Sequence, residues 1–349
     1  MQPNIKFSSK RLMLSLMLCS CSVILLQNHN VSPKNSFTVN LLCMLGGLAV
    51  SAVMFLPSVI LKKTRDTDFL TVSAQSTPKL KIPLAAVYAL YFVYAAEYFL
   101  LPYTDLFCKK YYPEVSPCVI GLCLLGACVY AAYKGANIIS RFGLFLFAFA
   151  LLTNLLMFGG SITSLDFAND SFALKADWDS ALSTVIYFCA PSFIAVIYAC
   201  LAGETKNFTL KQPLFALFFT ALKYALVLFF VSFAVGAYAQ RQDYQSFILS
   251  RVAHFDGFAG IESLFVALAT MSVFMIISLF LSCINKSAQQ GRLKNSILFA
   301  AIIFAVSFIA EWNNFVKEIF INDYIFIIFT AVVAVLIPLA YIFTGRKAK

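Results

Sequence analysis

The sequence predicts an all-α integral membrane protein of about ten transmembrane helices, built as a 5+5 inverted repeat. Three observations predict it. Apolar residues fill 61% of the 349 positions and charged residues 12%, against about 45–50% and about 25% in soluble domains. The apolar residues gather into ten segments, most long enough to cross about 30 Å of hydrocarbon at 1.5 Å per residue. Ten spans divide into five plus five, and an odd number in each half gives the halves opposite orientation, the arithmetic of an inverted repeat. The expectation is one membrane domain over 1–349, with a first repeat at about 11–160 and a second at about 181–344.

The predicted spans are roughly 11–27, 38–61, 82–102, 118–135, 142–160, 181–202, 213–238, 258–283, 295–312 and 321–344. Lys6, Lys10 and Arg11 precede span 1, as in a signal peptide, but the apolar run continues to Leu26 with no small-residue cleavage site after it. An uncleaved first span is the preferred reading. With the N-terminus inside, the inner segments carry eighteen Lys and Arg, the outer loops seven, and Lys223 falls within a span. That bias follows the positive-inside rule and places both termini in the cytoplasm. It also accounts for the net charge of +10 without nucleic acid, since basic residues interleaved with aromatics in a loop are missing. The outer loop 161–180 is acidic and too short of periodic apolar residues for a domain.

Ten Cys are scattered, mostly within apolar runs, without a CxxC pair and with His29 and His254 as the only imidazoles. They read as small apolar fillers, not as a zinc site. Cys108 and Cys118 flank one outer loop and are spaced so that they could pair. Asn207-Phe208-Thr209 has the form of a glycosylation sequon in a predicted inner loop and is read as chance. No nucleotide-binding loop, metalloprotease helix or nucleophile elbow is present, so neither ATP chemistry nor an enzyme is expected, and no cofactor.

Within the spans, polar residues carry the information, because charge in lipid costs several kcal/mol. Glu97 lies about fifteen residues into span 3, among Tyr91, Tyr94 and Tyr98. It reads either as a proton acceptor or partner of a substrate ammonium, or as a hydrogen-bonded structural acid near the outer surface. Pro191 interrupts span 6 in Phe188-Cys189-Ala190-Pro191-Ser192, removing a helix hydrogen bond. It is either a broken helix at a binding site or a plain kink. Lys223 sits about ten residues into span 7, near the midplane. It is either a cation standing in for a coupling ion or a snorkelling side chain. Glu262 opens span 8, as a helix N-terminal acid or, by repeat equivalence with Glu97, as part of one vestibule.

Several stretches resemble the endospore-germination permeases (GerAB-type), within the amino acid–polyamine–organocation superfamily. Phe55-Leu56-Pro57 closes span 2 as in that family. Tyr111 through Pro117 is similar to its loop before span 4, and Lys134 through Arg141 to its Gly-x-x-x-x-x-Arg link to span 5. Tyr244 through Phe265 resembles its short outer amphipathic segment, with Arg251, Asp256-Gly257-Phe258 and then Ile261-Glu262 entering span 8. The order of these motifs along most of the chain carries the resemblance. It implies the leucine-transporter fold, with helices 1 and 6 unwound around a small-molecule site. It also implies binding of amino acids, and service as one subunit of a germinant receptor in the inner spore membrane beside other receptor subunits.

The chain departs from the family pattern in two places. Ser22 to Pro33 replaces the Gly-rich break of helix 1, and Ser192 stands near the place of an acid at the helix 6 break. The expected function is a spore-germination-type permease subunit that binds, and in the transporter reading moves, a small amino acid or related amine. Its site would draw Ser22 and Gln27 from helix 1, Tyr94 and Glu97 from helix 3, Pro191 and Ser192 from helix 6 and Thr270 from helix 8. Lys223 and Glu262 would supply coupling or structural charge. The alternative is a non-transporting scaffold or sensor subunit, which a dry, closed contact between helices 1 and 6 would favour.

Overall fold

The computed structural model describes residues 7–26, 35–65, 68–69, 81–170, 172–207, 209, 211–236, 238, 244–255, 258–259, 261–288 and 292–339. Among them, nine helices are long and apolar enough to cross a membrane: Ser9–Leu26, Phe37–Lys63, Ile82–Lys110, Pro117–Lys134, Ala136–Ser164, Trp178–Glu204, Lys211–Val235, Glu262–Ser287 and Leu293–Trp312. These are spans 1 to 9. The tenth is a bent pair, Asn314–Ile321 and Asp323–Leu339, meeting at 49°. Span 10 therefore starts earlier than the predicted 321. Asn322 ends the first piece, and its side chain accepts the N–H of Ile325, capping the second. Span 3 also runs longer than expected, to Lys110, so Glu97 lies near its middle and not in its outer third.

Burial sorts the spans into layers. Span 6 is 89% and span 1 83% buried within the protein, whereas spans 5 and 9 are each 28% buried. The first two form the core, and the last two present Leu144, Leu151, Leu155, Ile297, Leu298 and Ile309 outward, where lipid satisfies apolar side chains. Close contact between core backbones depends on small residues. A Cβ on Gly47 of span 2 would lie 2.7 Å from the Phe188 backbone of span 6.

The two ends of the bundle are tied by different chemistry. At the N-terminal end, β1 (Phe7–Ser8) pairs in parallel with β2 (Thr205–Lys206). Lys62 Nζ donates to the Thr205 carbonyl at 2.9 Å, and Lys286 bridges Asp68 at 2.8 Å and Glu204 at 3.5 Å. At the opposite end, a short helix, Gln245–Val252, follows span 7. Its Ser246 hydroxyl donates to the Ile24 carbonyl at 2.7 Å, satisfying one of the carbonyls left over as span 1 ends. The expected amphipathic segment is thus buried along Gln245 to Ser250, with Arg251 exposed. Cys108 and Cys118 are free thiols with separate acceptors: the Val115 carbonyl at 3.2 Å and Glu311 Oε2 at 2.6 Å.

Candidate functional site

Span 6 breaks where its proline stands. Helix Trp178–Phe188 gives way to a tight turn, Ala190–Ser192, and helix resumes at Phe193. Pro191 has no N–H to offer the Tyr187 carbonyl four residues back; two residues before the proline, the Cys189 carbonyl accepts from two sides. The Ser192 N–H donates to it at 2.9 Å, and the Ser51 hydroxyl of span 2 donates at 3.1 Å. Two helical turns further along span 2, the Ser58 hydroxyl lies 3.2 Å from the Phe55 carbonyl of its own helix and 3.4 Å from the Ala195 carbonyl of span 6. Span 2 packs against this turn through Gly47, Ser51 and Ser58. None of these three was legible as functional; their spacing along one face of span 2 is the signal that was there to find.

Ser192 is fully buried at this turn, and its hydroxyl has no hydrogen-bond partner among the described residues. A buried hydroxyl left unpaired costs about 1–3 kcal/mol. Span 1 packs against the same turn. Rings fill the space beyond it. Phe193 of span 6 lies 4.9 Å from Phe99 of span 3 and 5.9 Å from Phe280 of span 8, centre to centre, and Phe326 of span 10 stacks on Tyr98 at 3.9 Å.

Span 1 is helical from Ser9 to Leu26; the rest of the stretch that stands in place of the family's break, from Gln27 to Pro33, lies outside the described residues. The hydroxyls of span 1 turn back on the helix or across to span 7. Ser22 donates to the Leu18 carbonyl at 2.6 Å and Ser20 to the Met17 carbonyl at 2.8 Å. Ser20 also meets Thr220 at 2.7 Å, and the Tyr224 hydroxyl donates to the Ser20 carbonyl at 2.7 Å. These bonds belong to helix that is wound as far as Leu26. Gln27 lies outside the described residues.

The remaining expected site residues face other neighbours. Tyr94 donates to the Ile319 carbonyl of span 10 at 2.9 Å. Thr270 of span 8 meets the Tyr103 hydroxyl of span 3 at 3.0 Å. Glu97 is fully buried, and both its oxygens lie within reach of the Ser307 hydroxyl of span 9, at 3.1 and 2.8 Å. Glu262, partly buried at the start of span 8, stands within electrostatic reach of Tyr111, as does Arg251. The two acids thus face different surroundings. Lys223 is half-buried beside Cys21 of span 1, without a hydrogen bond or ion pair among the described residues. The structure brings Pro191, Ser192 and span 1 together; it turns Tyr94 and Glu97 toward spans 10 and 9. Among the described residues no three His, Cys, Asp or Glu side chains converge as a metal site.

The family model described as spore germination protein matches residues 4–319 of the sequence. The chain belongs to that family. It is similar in fold to a protein whose structure is described as the crystal structure of MhsT in complex with L-phenylalanine, with a TM-score of 0.63. The two are 12% identical, and the match covers 96% of this chain and 91% of that one. At that identity the likeness speaks for the fold, which is of the leucine-transporter type. No curated protein matches the sequence. Family, fold and spans together make this a multi-pass integral membrane protein of permease type.

Proposed function

We propose that this spore germination family member binds a small amino acid or related amine at the break in span 6. The observation that carries the reading is the Ser192 hydroxyl, buried and unpartnered in a tight 3-10 turn between the two α-helical pieces of span 6. In lipid, irregular backbone persists where protein or a ligand cavity satisfies it. Ser192, the Pro191 turn and the facing length of span 1 around Ser22 form the centre of the site; Gln27, expected from the sequence to join it, lies outside the described residues. Tyr94 and Thr270 act from behind, by fixing span 3 against spans 10 and 8. Lys223 supplies a fixed positive charge beside span 1, and Glu262 an acidic charge at the mouth of span 8. Both termini lie in the cytoplasm, and the membrane is the cytoplasmic or inner spore membrane, where further germinant-receptor subunits are its partners. The MhsT structure contains L-phenylalanine, which supports an amino-acid-sized ligand in this fold.

The second reading is a sensor or scaffold subunit that moves nothing. The helix of span 1, wound from Ser9 to Leu26, and the rings of Phe99, Phe193 and Phe280 packed beyond the turn favour it. One experiment separates the two. The purified protein is screened by thermal shift against the common amino acids and related amines. Stabilisation that follows ligand concentration, and is lost in Ser192→Leu, supports binding at the turn. Silence across the panel, with a cooperative melt, supports the scaffold reading.

A further inference from the structure

A second polar region lies away from the span 6 break, between spans 3, 4, 9 and 10. A cavity of about 30 Å³ opens there, lined among others by Thr104, Asp105, Cys118, Ser307, Glu311 and Lys317. That is room for a water molecule and not for an amino acid. Ser307 is both a wall of this cavity and the only hydrogen-bond partner of Glu97 among the described residues. Glu311 stands one turn along the same face of span 9, is exposed, and accepts from Ser116 at 3.1 Å.

The charges around Glu97 do not neutralise it. On span 3 itself, Asp105 is committed to Lys317 of span 10 at 2.9 Å and Lys109 at 2.8 Å. Asp323 of span 10 accepts from Tyr98 at 2.5 Å, and Tyr94 donates to a carbonyl. Cys118 of span 4, within electrostatic reach of Glu97, is bonded to Glu311 of span 9. Between Leu12 and Leu26 span 1 carries no charged residue, only Cys19 and Cys21 as titratable groups; span 8 between Ser263 and Asn285 carries only Cys283. No described cation lies within ion-pair distance of Glu97. A bare carboxylate held by one hydroxyl in this interior is expensive. A neutral acid suits the geometry. One hydroxyl has one donor and two acceptor positions, so Ser307 can donate to one Glu97 oxygen while accepting the acid O–H from the other.

We propose that Glu97 is a proton-binding site loaded through this cavity, with Glu311 as the acceptor at its mouth and Ser307 as the relay. In the loading step, a proton on the Glu311 carboxyl passes to a water in the cavity. That water gives a proton to the Ser307 oxygen as Ser307 releases its own to the Glu97 carboxylate. One O–H bond breaks and one forms at each member, and the net change is one proton moved from Glu311 to Glu97. The site is separate from the span 6 turn and does not depend on an amino acid binding there.

Infrared spectroscopy of the purified full chain tests it without any organic ligand. At neutral pH the protein is expected to show the C=O stretch of a neutral carboxylic acid that disappears in Glu97→Gln. In Ser307→Ala the band persists at higher frequency, its hydrogen bond gone. In Glu311→Gln it stays in place, but its shift on transfer to deuterated water slows several-fold. Thermal melts confirm that each variant is folded; should Glu97→Gln fail to fold, the Ser307→Ala frequency shift alone decides. A spectrum in which neither variant alters an acid band overturns the proposal. A band abolished when sodium replaces choline as the buffer cation also overturns it, because the occupant is then a metal ion. Unchanged exchange in Glu311→Gln removes Glu311 and the cavity as the route.

Discussion

At the scale of the residue, two glycines show how local space decides tolerance. Gly47 faces the span 6 backbone at 2.7 Å from where a Cβ would sit, whereas Gly126 on span 4 has nothing within 4 Å. Gly47→Val forces the two helices apart beside the Pro191 turn, and overpacking of that kind costs about 1–3 kcal/mol. It is expected to lower the melting temperature in detergent. Gly126→Ala is expected to leave it unchanged or raise it slightly, since alanine is the better helix former by about 1 kcal/mol. Ser51 offers a finer probe. Ser51→Ala removes one donor from the Cys189 carbonyl while the Ser192 N–H remains, a loss of about 0.5–1.5 kcal/mol. A larger effect would mean that the serine does more than satisfy that carbonyl.

At the scale of the element, the break in span 6 separates stability from binding. Pro191→Ala restores a backbone N–H and removes the ring that opposes helix, where proline is worth about 3 kcal/mol against helix. The melt is expected to hold or rise, while ligand-dependent stabilisation disappears because the turn closes into helix. A melt that falls with ligand response intact would assign Pro191 to packing alone. The N-terminal end provides a second element-scale prediction. Asp68 is almost wholly buried against Lys286, and removing the cation takes away that ion pair. Lys286→Ala is expected to destabilise by about 3 kcal/mol, and Asp68→Asn on that background to recover part of the loss. Chemical denaturation of both variants and the double variant measures this as a coupling energy. Span 1 belongs to the same lesson. The sequence showed that Ser22 to Pro33 lacks a glycine; where the hydroxyls of the described helix, which runs to Leu26, find partners is a matter of packing. Ser20 and Ser22 bond within the helix and to Thr220, and Tyr224 closes on the Ser20 carbonyl.

At the scale of the whole molecule, orientation is the testable quantity. The loop charges predict both termini on one side and the acidic loop 161–180 on the other. A protease-cleavable tag fused at either end is expected to be cut only from the cytoplasmic side in oriented vesicles, and one inserted near Phe172 only from the other. Opposite cleavage of the two terminal tags would break the ten-span count. The structure supports that count by grouping the ties. β1, Lys62, Asp68, Glu204 and Lys286 meet at one end of the bundle, and Ile24, Ser246, Asp105 and Lys317 at the other.

Composition and periodicity alone determined that this chain lives in lipid and that it crosses in about ten helices, and they marked Pro191 in span 6 as either a helix break or a kink. These are properties a helix carries within its own sequence: length against bilayer thickness, hydropathy, and a missing N–H. Motif order was enough to mark the family resemblance. Which polar residues work together was decided only by tertiary structure, because a helix shows its faces to partners that lie hundreds of positions away. Glu97 and Tyr94 share a span and look like one site in sequence, yet one meets Ser307 on span 9 and the other the Ile319 carbonyl on span 10. The bend at Asn322, the serines of span 2 on the Cys189 and Ala195 carbonyls, and the cavity that joins Glu311 to Ser307 arise from packing. No period or composition of a single segment encodes them.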